Sequence, residues 1–220
     1  MDPEVGRFDD VATVSLAGLP GAGKTTFCAE LCNMDSNFKG FKAPPISFAE
    51  GKQLEPSEFV AFQCQRIKEF GALLKPIRRS NPSCIIVCDR GIEDILCYTH
   101  FVLKVKLGLD ASGCSELLRG IPNSRSRACI FLSTEKSVLD EREKYRAKPS
   151  FGRGLANRSE YWSFYQAWFL SRPWIIPVVT DHLDIAGACE HLAGAIRRSL
   201  QGGEPPNSQD PLERHGADFT

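Results

Sequence analysis

The stretch that decides the fold is Gly18-Leu19-Pro20-Gly21-Ala22-Gly23-Lys24-Thr25-Thr26. It has the spacing of a phosphate-binding loop: glycine, four residues, then Gly-Lys-Ser/Thr. The glycines admit backbone angles closed to other residues, so successive N–H groups of Gly21, Ala22 and Gly23 can curl around an anion. Lys24 adds a point charge for the far end of a triphosphate, and Thr25 and Thr26 add hydroxyls, that of Thr25 for a bound Mg²⁺. The run before the loop, Val11 to Ala17, is apolar and β-branched, as in a buried parallel strand. The residues after it, Phe27 to Cys32, read as a helix whose positive N-terminal end faces the same anion. A strand, this loop and a helix in that order mark a nucleotide-binding unit.

The rest of the composition narrows the class. A chain of 220 residues suits one sheet-and-helix domain, expected over 11–200 with flexible ends at 1–10 and 201–220. The 27 basic residues equal the 27 acidic ones, so no overall field draws the chain to nucleic acid or anionic lipid. No apolar run approaches the roughly 20 residues that cross a bilayer, and the start lacks the basic-then-apolar order of a signal peptide. Nine cysteines without a C-x-x-C pair read as reduced thiols of a cytoplasmic protein rather than as disulfides or a zinc site.

Strand and helix patterns alternate down the chain, which implies a parallel sheet. Phe38 to Lys42 reads as a loop and Ala43 to Glu50 as the second strand, ending on a carboxylate. Pro56 opens a helix that runs to about Leu74 and is broken by Pro76. Cys84 to Gly91 holds the third strand, followed by a helix over about Glu93 to Leu107. Ala128 to Leu132 is a fourth strand, with Ser133 or Thr134 capping a helix to about Arg146. A helix carrying Tyr161, Trp162, Phe164, Tyr165, Trp168 and Phe169 has the spacing of a core face. Trp174 to Val179 is the last strand, and Asp184 caps the final helix, to about Leu200.

Ligands of such sheets bind beyond the carboxyl ends of the strands. The pattern delivers the loop, Glu50 and the pair Asp89-Arg90 to that edge. A carboxylate there can hold Mg²⁺ or take a proton from a hydroxyl, and an arginine can meet phosphate as charge develops. The same residues could also be no more than solvated strand-end charges. Arg142 and Arg146 share one helix face, and Lys144, Lys148 and Arg153 add positive charge beside Gly152 and Gly154. Glu141 and Glu143 can neutralise part of this. Left unneutralised, the cluster reads as a lid over about 142–156 that closes on a polyphosphate.

These features resemble the P-loop kinases of the deoxynucleoside kinase and thymidylate kinase type, from Val11 to Leu200. The likeness rests on Gly18 to Thr25, the strand ending in Glu50, Phe62-Gln63, Asp89-Arg90-Gly91 and the arginines from Arg142 to Arg153. It implies an α/β, three-layer fold with a five-stranded parallel sheet and an arginine-rich lid, and ATP with Mg²⁺ as donor. By that resemblance Glu50 is the carboxylate that activates a nucleoside 5′-hydroxyl. Gln63, beside Phe62, reads the base edge, and Thr25 and Asp89 organise the metal. Lys24, Arg90, Arg142 and Arg146 meet phosphate, and Arg153 serves the acceptor. Deoxynucleoside kinases carry Glu-Arg-Ser at the third strand and thymidylate kinases Asp-Arg-aromatic; Gly91 matches neither. Gly51 after Glu50 is a second departure. The acceptor is then a nucleoside, a nucleoside monophosphate or another small alcohol. The helices after the second and third strands could pair two subunits. The other class open to the loop is a nucleotide-dependent switch, but the guanine-reading Asn/Thr-Lys-x-Asp of GTPases does not occur.

Overall fold

The first strand, β1 (Thr13–Gly18), is buried along its whole length. Only the middle strand of a sheet covered on both faces can afford so little polar character. In the computed structural model, which describes residues 12–43, 55–119, 126–144, 158–181 and 183–201, β1 pairs in parallel with β3 (Ile85–Asp89) and β4 (Ala128–Ser133). β2 (Phe38–Lys42) adds to β3 and β5 (Ile175–Val179) to β4, giving a five-stranded parallel sheet in the order β2-β3-β1-β4-β5.

Alternation along β1 sorts the helices into two layers. Thr13 accepts from Arg78 of α2 (Pro56–Ser80), and Ser15 bonds Glu93 of α3 (Ile92–Phe101). Odd positions of β1 therefore face α2 and α3, against which α6 (Arg158–Leu170) also packs. Even positions face α1 (Lys24–Met34) and α7 (Ile185–Gln201), which pack on each other. The shorter α4 (Ala111–Leu118) and α5 (Lys136–Lys144) follow α3 and β4.

The second strand lies elsewhere than its pattern suggests. Phe38 to Lys42, read as a loop, is the edge strand β2, and Phe38 and Phe41 anchor it in the core. Its Lys-Gly interior hides it, yet Gly40 is what lets it approach α1, since a Cβ there would sit 3.2 Å and 3.3 Å from the Cys28 and Cys32 sulfurs. Ala43 follows the strand, its N–H reaching the Asp89 carbonyl at 3.4 Å. The remainder of the expected strand, with Glu50, lies outside the described residues.

Pro76 does not end α2 at Leu74. The helix continues to Ser80, with Pro76 exposed, because Ile77 packs on the core and Arg78 binds Thr13 beyond it. Those contacts outweigh the roughly 3 kcal/mol that an interior proline costs. The helix expected to reach Leu107 changes to a π-helical turn over Val102–Lys106 after α3. α5 begins at Lys136, its first bond running from the Leu139 N–H to the Glu135 carbonyl, so neither Ser133 nor Thr134 caps it. Asp184 does cap α7, accepting the Gly187 N–H at 2.7 Å. All nine cysteines are free thiols, and among the described residues no helix is long and apolar enough to cross a membrane.

Candidate active site

The loop between β1 and α1 is shaped as an anion cradle. Gly23, at the N-cap of α1, has φ 89°, and a Cβ there would lie 2.7 Å from the Phe27 ring. Glycine is therefore needed both for the left-handed backbone and for the space. The first bond of the helix runs from the Phe27 N–H to the Gly23 carbonyl at 2.9 Å, which leaves the first-turn amides of Lys24 to Thr26 directed out of the helix end. The Ala22 N–H, expected at the anion, instead donates to the Leu19 carbonyl at 3.1 Å. Lys24, 5% exposed, donates to the carbonyls of Gly18 at 2.7 Å and Leu19 at 2.9 Å. Its ammonium thus lies across the loop that an anion would occupy.

Asp89, the last residue of β3, stands level with Leu16 of β1 and Lys42 of β2. Thr25 Oγ1, in the first turn of α1, donates to Asp89 Oδ2 at 2.5 Å. The sheet register and the helix start together bring these two side-chain oxygens side by side. Among the described residues no three His, Cys, Asp or Glu side chains form a metal cage. A hard cation here would draw its remaining ligands from water and a bound phosphate, the habit of Mg²⁺.

Arg90 follows Asp89 with φ 73°, the left-handed region that non-glycine residues rarely enter. Its N–H bonds the Leu16 carbonyl at 3.1 Å, and its guanidinium meets Asp94 at 3.4 Å. Burial works against its charge, but Asp94, Tyr165, Tyr161 and Asp89 outweigh that, so its pKa moves up. Asp94 also accepts the Gly91 N–H at 3.1 Å and the Tyr165 hydroxyl at 2.5 Å. Tyr165 in turn accepts the Gly18 N–H at 3.0 Å. Neither Asp94 nor the hydroxyl of Tyr165 stands out in the sequence. Asp94 is one of two adjacent acids, and Tyr165 sits in an aromatic stripe with core spacing.

Gly91, which departs from both kinase patterns, is explained by packing. A Cβ there would lie 1.8 Å from Ser15 Oγ and 2.5 Å from Glu93 Oε2. Glu93 is 0% exposed and held by Ser15 Oγ at 2.7 Å and the Ser126 N–H at 3.0 Å. Burial pushes its pKa up, against the pull of those hydrogen bonds.

On the acceptor side, Gln63 of α2 is 0% exposed, and among the described residues neither polar atom of its amide has a hydrogen-bond partner. Phe62 beside it is half-buried, with the Arg66 guanidinium 6.0 Å from its ring. Aromatic edges run from Phe59 to Tyr98 and Tyr98 to Tyr161, each 6.2 Å between centroids, and on to Tyr165 at 5.6 Å. Desolvation raises the Tyr98 pKa to about 12, so that hydroxyl stays protonated.

Lys24, Thr25 and Asp89 therefore meet at one edge, and Arg90 joins the same loop through Asp94 and Tyr165. Arg142 reaches that edge as well, donating to the Gly21 carbonyl at 3.0 Å, with Leu139 of the same helix packed over Gly21. Glu50, Arg146 and Arg153 lie outside the described residues.

No protein-family model matches the sequence, and comparison with curated proteins returns no match. Solved structures do resemble it. The thymidylate kinase from Candida albicans aligns with TM-score 0.53 and 18% identity over 90% of this chain and 96% of that one. The deoxyadenosine kinase from M. mycoides with bound dATP aligns with TM-score 0.52 and 16% identity over 84% and 99%. The thymidylate kinase from Ehrlichia chaffeensis gives 0.51 and 16% over 84% and 98%. The chain has the P-loop kinase fold of the thymidylate kinase and deoxynucleoside kinase type.

Proposed function

We propose that this chain is an ATP-dependent kinase that passes the γ-phosphoryl group to a small acceptor, foremost the 5′-hydroxyl of a (deoxy)nucleoside. The observation that carries the acceptor class is the orphaned Gln63 amide. A buried amide without partners costs on the order of 1–3 kcal/mol. A planar base offering a donor and an acceptor on one edge would satisfy both of its ends.

The donor half follows from the loop. Lys24 and the amides at the start of α1 would stabilise charge on the β- and γ-phosphates, the main requirement of phosphoryl transfer. Thr25 and Asp89 are the residues fitted to hold Mg²⁺, which when bound neutralises charge between those phosphates. Arg90 and the lid arginines Arg142, Arg146 and Arg153 would clamp the moving group. Glu50 would take the proton of an acceptor hydroxyl. An aspartate rather than a glutamate at the end of β3 favours a second acceptor, a nucleoside monophosphate. Such an acceptor is already ionised and needs no base, so Glu50 would then position metal or acceptor.

ADP release measured against a panel of nucleosides and nucleoside monophosphates separates these readings. Turnover with nucleosides and its loss in Glu50→Gln supports the first, and turnover with monophosphates alone supports the second. ATP binding with silence across the panel would falsify both and leave a kinase of another small alcohol or a nucleotide-dependent switch.

A further inference from the structure

Under the phosphate loop runs a polar chain of Gly18, Tyr165, Asp94 and Arg90, of which the buried Tyr165 and Asp94 have no part in the roles above. We propose that Asp94 and Tyr165 are positioning residues that tie Arg90 to the first residue of the phosphate loop, an inference resting on the kinase reading above.

The proton count fixes the direction of the chain. Tyr165 has one hydroxyl proton, and at 2.5 Å it goes to Asp94 Oδ1 rather than to the Gly18 carbonyl at 3.4 Å. Its oxygen is then free to accept the Gly18 N–H at 3.0 Å. A hydroxyl polarised by a carboxylate is a stronger acceptor, so the two bonds reinforce each other. Packing alone does not call for this hydroxyl. The Tyr165 ring already lies 4.6 Å from Phe169, 5.6 Å from Tyr161 and 6.1 Å from Phe131 between centroids, where phenylalanine would fill the same volume.

Asp94 grips Arg90 twice. One oxygen takes the guanidinium, and the other takes the N–H of Gly91, the peptide that follows the left-handed residue. The carboxylate is 1% exposed and, through Tyr165, one residue away from a site built for anions. Its charge is tolerated there because Arg90 balances it. Asp94 thereby keeps the guanidinium from collapsing onto the phosphates of the donor and leaves its other N–H groups for the transferring group. Anything that shifts Gly18 is passed along the same bonds to Arg90.

Two conservative variants, Tyr165→Phe and Asp94→Asn, and their double variant test this. In steady-state kinetics each single change is expected to lower kcat about 10-fold or more with both KM values within a few-fold, and the double variant to be no worse than the poorer single one. Inorganic pyrophosphate, titrated calorimetrically, is expected to bind Asp94→Asn at least as tightly as the wild type, because a buried negative charge has gone and Arg90 is released. Multiplying losses in the double variant, an unchanged kcat in Tyr165→Phe, or loss of pyrophosphate binding in folded Asp94→Asn would overturn the proposal. If the wild type phosphorylates no acceptor, the kinase reading fails by itself and amide exchange decides the positioning claim. Faster exchange at Gly91 in Tyr165→Phe supports the tie, since Tyr165 does not touch that amide, and unchanged exchange overturns it.

Discussion

Thr25 Oγ1 and Asp89 Oδ2 share a 2.5 Å hydrogen bond although 64 positions separate them in sequence. Parallel pairing of β1 with β3 is what closes that gap, since it sets Leu16 beside Asp89 and lets the loop and α1 begin at the same edge. In the proposed kinase both oxygens would hold Mg²⁺ once nucleotide is bound. Thr25→Val and Asp89→Asn are then expected to weaken apparent Mg²⁺ affinity about 10–100-fold, with Thr25→Ser close to wild type. A magnesium titration of ADP release checks this; a hydroxyl-free Thr25→Val with normal magnesium dependence would remove the pair from the metal site.

Gln63 should trade stability against acceptor binding. Replacing it by leucine removes an unpartnered buried amide while keeping most of the volume. Gln63→Leu is expected to raise stability by about 1–2 kcal/mol and to raise acceptor KM at least 10-fold with ATP KM unchanged. Chemical denaturation and the two KM values are the measurements. Lower stability in Gln63→Leu would mean that the amide is satisfied in the free protein.

Gly91 is fixed by space, since its φ of −130° is open to any residue. A Cβ at 1.8 Å from Ser15 Oγ cannot be accommodated without moving β1 or α3. Gly91→Ser, which supplies only the serine of the deoxynucleoside kinase pattern after Asp89-Arg90, is expected to cost about 2–4 kcal/mol, in the range of overpacked core changes. Adding Ser15→Gly should recover part of it. Melting of the single and double variants tests this, and a tolerated Gly91→Ser would show that the Glu93 cluster yields more easily than its burial suggests.

His100 gives the fold an acid-side slope. Burial, with Arg172 and Lys104 adding to it, lowers its pKa from 6.5 to about 4, while its Nδ1 accepts the Trp168 indole N–H at 3.2 Å. The folded state therefore holds the ring neutral, whereas the unfolded chain takes up a proton as pH falls below 6.5. Stability is lost as pH falls from 6.5 toward 4, by up to about 3 kcal/mol. His100→Asn, which can still accept from Trp168, is expected to flatten that slope. Denaturation midpoints across this range would show it, and an unchanged slope would assign the acid sensitivity to other groups.

What could be read from the chain alone follows from short-range physics. The loop from Gly18 to Thr26 states its conformation in its glycines and, in the proposed reading, its ligand in Lys24 and Thr25. The apolar runs at β1, β3, β4 and β5 announce a buried parallel sheet, because nothing else of that length accommodates them. Phe38 to Lys42 was not legible as a strand, since an edge strand needs only two anchoring side chains and a glycine for clearance. Pro76 stayed inside a helix because Ile77 and Arg78 find partners on other elements. Those partners are tertiary facts.

The same division runs through the site. Sequence determined that a phosphate-binding loop would stand at one edge of a sheet and that Asp89-Arg90 would end a strand there. Only the folded chain decided that Asp94 and Tyr165 lie beneath that loop, that Gly91 makes room for Ser15 and Glu93, and that Gln63 is buried with its amide unsatisfied among the described residues. The reason is physical: a loop motif is written in consecutive residues whose backbones must cooperate. A hydrogen-bond chain from α3 through α6 to β1 joins residues far apart in sequence, and no local pattern records their meeting.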